Sequence, residues 1–213
     1  MPATATLPRD IPIFPLPNVV LFPDVFLPLH IFEPRYRNMV RDALAGDRII
    51  GMVLLRDGRS NEATPPVYPI GCAGAITHAA RLPDGRYNIV LRGVEKFRVR
   101  AEVPRNSYRL ASVDALPERP DPDERARLRS GRRRMEALLD RRLREVGSES
   151  GVPREMSDEH LVNALAQYLE FDPVEKQLLL ERDGVAARCE SLIGLLEMRR
   201  AAAGSPHPRP RVQ

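Results

Sequence analysis

Apolar positions along this chain are patterned in two ways, and the change falls near residue 117. Before it, short runs rich in Val, Ile and Phe are punctuated by Pro and Gly. After it, apolar residues recur at the three-to-four spacing of a helix. The stretch 117–124, PERPDPDE, separates the two regimes, because its three prolines suit neither a continuing strand nor a helix interior.

The first half predicts strands near 10–14, 25–31, 48–56, 70–81, 86–92, 95–103 and 108–115. Pro83-Asp84-Gly85 carries the clearest local signal. Proline pre-sets φ and glycine accepts a positive φ, so the runs on either side are expected to form a hairpin. In 95–103, Phe97, Val99, Ala101 and Val103 alternate onto one face, leaving Glu95, Lys96, Arg98, Arg100 and Glu102 for the wet side or the edges. One helix interrupts the strands at 34–45. Pro34 suits its first turn, Tyr36, Met39, Val40 and Ala43 form its apolar face, and Gly46 stops it. Short strands with one embedded helix suggest a small, partly open barrel.

The second half predicts four helices with short links, a bundle. The segment 124–147 lines up Met135, Leu138, Leu139, Leu143 and Val146. A second helix has Ser157 as N-cap, Asp158 and Glu159 at its positive end, and Met156 and Leu161 placed as a hydrophobic staple. Asp172-Pro173-Val174-Glu175 has the form of a capping box, Gly184 is expected as a stop, and Leu192, Ile193, Leu195 and Leu196 mark the last helix. The expected organisation is therefore a strand-rich part over 1–116, a helical part over 117–200 and a flexible tail over 201–213.

Composition narrows the function classes. The chain has no apolar run of eighteen or more residues, so no membrane helix is expected, and its start lacks a secretory pattern; the cytoplasm is the expected compartment. Cys72 and Cys189 lie in segments of different type and are expected as buried thiols. The net charge of +4 invites a nucleic-acid reading. Its distribution weakens that reading: residues 117–200 carry 16 basic and 18 acidic side chains, so the arginine-rich half is not a basic module. The densest basic cluster, Arg132, Arg133 and Arg134, is read as a solvated helix face balanced by Glu136, Asp140 and Glu145.

Familiar catalytic patterns are missing. A P-loop needs Gly followed by Lys, and neither lysine, Lys96 or Lys176, follows a glycine. Both lysines are expected at the surface rather than in a Ser-Lys pair. No HExxH, paired CxxC, dinucleotide glycine pattern or GxSxG occurs. Cys72 and His78 are too few ligands for a structural zinc site. His30 is read as a hydrogen-bonded histidine at a barrel edge, His160 follows a helix N-cap, and His207 lies in the tail. No catalytic residue, metal or cofactor is expected, and the chain reads as a non-enzyme.

Two segments go beyond generic patterning. In 11–44, Pro15-Leu16, Leu21-Phe22-Pro23, Pro28-Leu29 and Glu33-Pro34-Arg35-Tyr36 follow in order. In 174–196, Glu175-Lys176-Gln177 and Leu179-Leu180-Glu181 precede Arg188. Both resemble the N-terminal domain of the ATP-dependent protease Lon. Between them, 70–76 and 91–99 fall where that family has a Gly-containing strand and a Gly-x-x-Arg-aromatic strand. Gly93 is present, but Lys96 stands at the arginine position, keeping the charge without the planar fork. The resemblance spans roughly 9 to 200, and no ATPase or Ser-Lys protease segment accompanies it.

The resemblance implies an α+β fold: a PUA-like β pseudobarrel with one embedded helix, followed by a C-terminal helical bundle. It also implies recognition of protein substrates or partners, by edge pairing or in an apolar groove. The alternative is an RNA-binding PUA-like protein. Its aromatic content of 5% and lack of tryptophan argue against a base-stacking platform. Glu33, Arg35 and Tyr36 are expected to be architectural, seating helix 34–45. Their convergence with His30 on one pocket would instead indicate a chemical site.

Overall fold

The structure is a computed structural model that describes residues 7–56, 64–103, 107–145 and 156–204, the side chains of 140–145 and 203–204 excepted. Asp140, Leu143, Glu145, Val146, His207 and the rest of the tail past Gly204 lie outside the described side chains. Among the described residues six strands are formed: β1 (Asp10–Leu16), β2 (Phe26–Ile31), β3 (Ile49–Leu54), β4 (Ile70–Arg81), β5 (Tyr87–Val103) and β6 (Arg109–Leu116). Five helices accompany them: α1 (Pro34–Ala45), α2 (Pro122–Glu145), α3 (Asp158–Tyr168), α4 (Pro173–Leu180) and α5 (Gly184–Gly204). The fold is α+β with a mixed sheet.

The sheet runs β2-β5-β4-β3-β1-β6, and a further pairing of β5 with β6 closes five of its strands on themselves. Among the described pairings β1 with β3 is parallel and the others are antiparallel. β5 makes the closure possible because of its length. Its first half lies between β4 and β2, and its second half between β4 and β6. β2 therefore stays outside the ring, with no described strand on its other edge. Ile11, Ile13, Val53, Ala73, Phe97, Ala111 and Val113 pack together as a buried cluster of this sheet.

Two sequence expectations change here. Strands 86–92 and 95–103 are one strand, because Gly93 does not break it. The Gly93 N–H donates to Val25 O and its carbonyl accepts from Asp24 N–H, both at 2.9 Å. A Cβ at Gly93 would lie 2.0 Å from Phe22 O, so only glycine lets that loop dock on the strand. The expected Phe97–Val103 face is interrupted by a register shift between Val99 and Ala101, which leaves Ala101 exposed.

Local chemistry explains the remaining boundaries. In the β4–β5 turn, Gly85 has φ +81° and donates its N–H to Leu82 O, while Asp84 accepts from Arg86 N–H. α1 buries Tyr36, Met39, Val40 and Ala43. Ser157 Oγ accepts from His160 N–H, and Glu175 Oε2 accepts from Asp172 N–H at the head of α4. A second such box lies inside the proline-rich stretch, where Asp121 and Glu124 bond each other's backbone N–H, so Pro122 opens α2. Gly184 starts α5 with φ +81° instead of ending a helix.

Two compact units emerge. One comprises residues 1–119 with 163–182; the other comprises 120–162 with 183–213. The segment 163–182, placed by its periodicity in the helical half, thus belongs with the sheet. Within the second unit, α2 packs on α5, with Gly131 facing Cys189, and Leu128, Met135, Cys189, Leu192 and Leu196 of these helices are buried. There Arg132 bonds Glu136 at 2.8 Å and Asp158 at 3.1 Å, and Arg134 bonds Glu197 at 2.6 Å. Two of the three clustered arginines are therefore held by carboxylates, and Glu136 is one of the expected partners.

Candidate functional site

The residues that carry the resemblance converge on the first unit, apart from Arg188, which is fully buried in the second. Pro15 sits in β1 opposite Val53. Phe22 is completely buried, and Phe22-Pro23 forms the loop that rests on Gly93. Asp24, at φ 60°, then turns the chain into β2 and holds Arg92 of the facing strand at 2.7 Å.

Pro28 occupies the middle of β2, opposite Val90. Val25 O accepts from Gly93 N–H, so backbone groups of odd-numbered residues face β5 and those of even-numbered residues face away. Pro28 is at an outward position, where its missing N–H costs the ladder nothing. The Phe26 carbonyl points outward too, and is taken by Gln167 Nε2 at 3.0 Å and Tyr168 Oη at 2.8 Å. No described residue accepts from the His30 N–H. From Pro28 onward, the edge is open to a pairing strand.

The solvent face of this edge carries Phe26, Pro28 and His30, with Phe32 just beyond, all exposed. Phe32 stacks on His30 with ring centroids 6.3 Å apart. His30 Nδ1 lies 2.6 Å from Asn88 Oδ1, and Nε2 lies 3.2 Å from an Arg86 nitrogen. This is the hydrogen-bonded edge histidine expected. Among the described residues, seven large apolar side chains are strongly exposed, and six of them (Phe26, Phe32, Val94, Tyr168, Val174 and Leu178) belong to the first unit.

Glu33, Arg35 and Tyr36 form a stack at the start of α1. Glu33 caps the helix with its backbone carbonyl and uses its carboxylate on Arg35 at 2.9 Å. The Arg35 guanidinium covers the Tyr36 ring at 4.5 Å, and that ring meets Phe14 at 4.3 Å. Burial pushes the Tyr36 phenol above its ordinary value. Neither cleft described in this unit is lined by His30, Glu33 or Arg35.

Both lysines depart from the surface placement expected of them. Lys96 is buried, donating to Glu118 at 2.9 Å and to Arg182 O at 2.7 Å. Lys176 Nζ donates to Gln167 O at 2.6 Å, and its partial burial lowers its pKa. Gln177 is buried and donates to Ile70 O at 2.9 Å and to Glu181. Gln167 was invisible to sequence reasoning. Its side-chain oxygen accepts from Phe22 N–H at 3.0 Å while its nitrogen holds Phe26 O, fixing both ends of the loop that enters β2. Nothing in its sequence neighbourhood signals partners about 140 residues away. Cys72 is buried with its thiol toward Ala73 O, while His78 is exposed, so the two do not meet as metal ligands.

The comparisons agree with the geometry. The model of the ATP-dependent protease La (Lon) substrate-binding domain matches residues 10–198. Lon protease 2 of Syntrophobacter fumaroxidans is 32% identical over 190 residues, which is 86% of this chain and 24% of that protein. Lon protease of Rhizobium meliloti is 26% identical over 198 residues, 91% of this chain and 24% of that protein. The chain spans about a quarter of the length of these curated relatives. The N-terminal domain of Mycobacterium avium complex Lon protease superposes with a TM-score of 0.67 at 18% identity, over 89% of this chain and 98% of that one. A Lon N-terminal domain protein from Xanthomonas campestris gives 0.58 at 24%, over 92% and 99%. The chain belongs to the Lon substrate-binding domain family.

Proposed function

We propose that this chain is a non-catalytic recognition module that holds extended segments of other polypeptides on the first unit. The observation that carries this reading is the free edge of β2. It offers unpaired backbone groups from Pro28 to Ile31, beside exposed Phe26, Phe32, Tyr168 and Val94. An extended peptide gains affinity from main-chain pairing on such an edge and selectivity from pockets for alternate side chains. The strand ring closed by β5 is taken as the PUA-like pseudobarrel, with 163–182 as its helical brace, and the remaining helices as the bundle. No membrane or nucleic-acid role is assigned, no cofactor is required, and the module works in the cytoplasm. No helix among the described residues is long and apolar enough to cross a membrane.

The test is a titration with a permanently unfolded polypeptide such as reduced, carboxymethylated α-lactalbumin, followed by fluorescence anisotropy. Saturable binding that weakens at least roughly 5-fold in Phe26→Ser and Phe32→Ser variants is expected, since each removes about 1 kcal/mol or more of aromatic burial. Absence of binding, or equal binding by both variants, would overturn the reading. Binding of single-stranded RNA with steep salt dependence, and none of polypeptide, would put the RNA alternative in its place.

A further inference from the structure

A cleft of about 250 Å³ opens between the outward stripe of α1 and the β4–β5 hairpin. It is lined by Pro34, Arg37, Asn38 and Arg41 on one side and by Arg81, Gly85 and Tyr87 on the other. Three guanidinium groups therefore face one small space. Arg41 pairs with its neighbour Asp42 at 3.0 Å. The guanidinium groups of Arg37 and Arg81 form no hydrogen bond or ion pair with any described residue. The nearest carboxylate on the hairpin, Asp84, feels Arg37 but bonds Arg86 instead, and those bonds hold its pKa below the ordinary value. Arg86 in turn faces His30. Asp42 and Asp84 thus offset Arg41 and Arg86, and the charge of Arg37 and Arg81 is left over.

The arrangement is built rather than incidental. The Arg37 guanidinium lies directly over Gly85, where a Cβ would approach Nη2 to 2.2 Å. Glycine at the hairpin tip serves both the left-handed turn and the seating of this arginine. Pro34 and the buried Tyr87 ring wall the cleft with apolar surface, lowering the local dielectric and strengthening charge-assisted hydrogen bonds to an anion. Tyr87 is also the register partner of Ile31, the last residue of β2. Pro34 comes three residues after that strand ends, so the cleft lies within roughly 10 Å of the end of the free edge.

We infer that this cleft receives an acidic side chain of a polypeptide held along β2 and running parallel to it, so that the module prefers extended apolar segments followed by Asp or Glu. Arg37 and Arg81 supply forked donors matched to a carboxylate, and Asn38 supplies a further donor. The inference rests on the polypeptide-binding reading and goes beyond it by naming the charge of the ligand. A phosphate backbone is less suited to the place. The neighbouring arginines Arg35, Arg41, Arg86 and Arg92 are each paired with a carboxylate, so the excess charge rests on Arg37 and Arg81 rather than on a continuous basic track.

The experiment uses labelled peptides with an apolar extended segment and amidated C-termini, one ending in a Glu pair and its counterpart in a Gln pair. A third peptide carries the Gln pair with a free C-terminus. The Glu peptide is expected to bind the whole chain roughly 10-fold more tightly than the amidated Gln peptide, as one well-placed charged hydrogen-bonding partner allows. Arg81→Gln and Arg37→Gln should each remove most of that preference while leaving the Gln peptide's affinity unchanged. Arg81 is exposed at a strand end, so its variant keeps the fold and the test intact. Equal binding of all three peptides would overturn the inference and leave polypeptide binding standing. Preference for the free C-terminus alone would overturn the side-chain assignment. Binding of none of them would overturn both.

Discussion

Lys96 and Glu118 form a buried ion pair, 2.9 Å apart with side-chain exposures of 5% and 13%. Lys96 also satisfies the Arg182 carbonyl, so one ammonium ties together β5, the segment after β6 and the end of the α4 region. Replacing Lys96 by Met removes the ammonium's bonds to the Glu118 carboxylate and the Arg182 carbonyl in a buried place. The expected cost is about 3 kcal/mol in urea-unfolding free energy. Lys96→Arg, which keeps the charge, should cost less than about 1.5 kcal/mol. Equal losses in the two variants would show that the charge is not what matters.

Gln177 should be intolerant of an isosteric charge. Its Nε2 donates to Ile70 O and to a Glu181 oxygen, and the side chain is 1% exposed. In Gln177→Glu, burial and Glu181 both disfavour the carboxylate, raising its folded pKa above the unfolded value of about 4.3. The destabilisation is therefore full at pH 7 and recedes as pH falls toward 5, where the protonated acid donates again. Chemical denaturation at pH 7 should show a loss of about 3 kcal/mol relative to the parent, shrinking at pH 5. A loss independent of pH would point to packing alone.

Much of the fold was legible because local chemistry repeats known solutions. Pro83-Asp84-Gly85, Ser157 and Asp172-Pro173-Val174-Glu175 each satisfy backbone groups within four residues, so their roles can be read from spacing. The features that were not legible are long-range. Gln167 reaches Phe22 and Phe26, Gln177 reaches Ile70, and Lys96 reaches Arg182. A polar residue on a helix has no periodic mark that distinguishes solvent from a distant backbone carbonyl, which is why 163–182 reads as part of the helical half. The joining of two expected strands into β5 was hidden for the same reason, because a distant loop bonds Gly93 and keeps the chain extended.

Cys189 should behave as an inert thiol. Burial, with smaller contributions from Glu190 and Asp158, pushes it up to about 11. At pH 8 the native protein should alkylate at the rate of its opening rather than of a free thiol, and a plot of labelling against denaturant should follow unfolding. The unfolded thiol ionises near 9 while the folded one stays protonated, so this group adds nothing to stability below pH 9 and subtracts from it as pH rises toward 11. Rapid labelling of native protein at pH 8 would mean the α5 face opens readily.

The recognition of extended polypeptide by β2 is tested most directly by amide hydrogen exchange at His30, read by NMR with and without saturating unfolded polypeptide. Its N–H faces away from β5 and meets no acceptor among the described residues, whereas the Leu29 and Ile31 amides already face β5. The account predicts that His30 exchange slows at least roughly 10-fold on binding, while Leu29 and Ile31 change little, as one new backbone hydrogen bond requires. Unchanged exchange at His30 in a demonstrably saturated complex would contradict it and move the binding surface elsewhere.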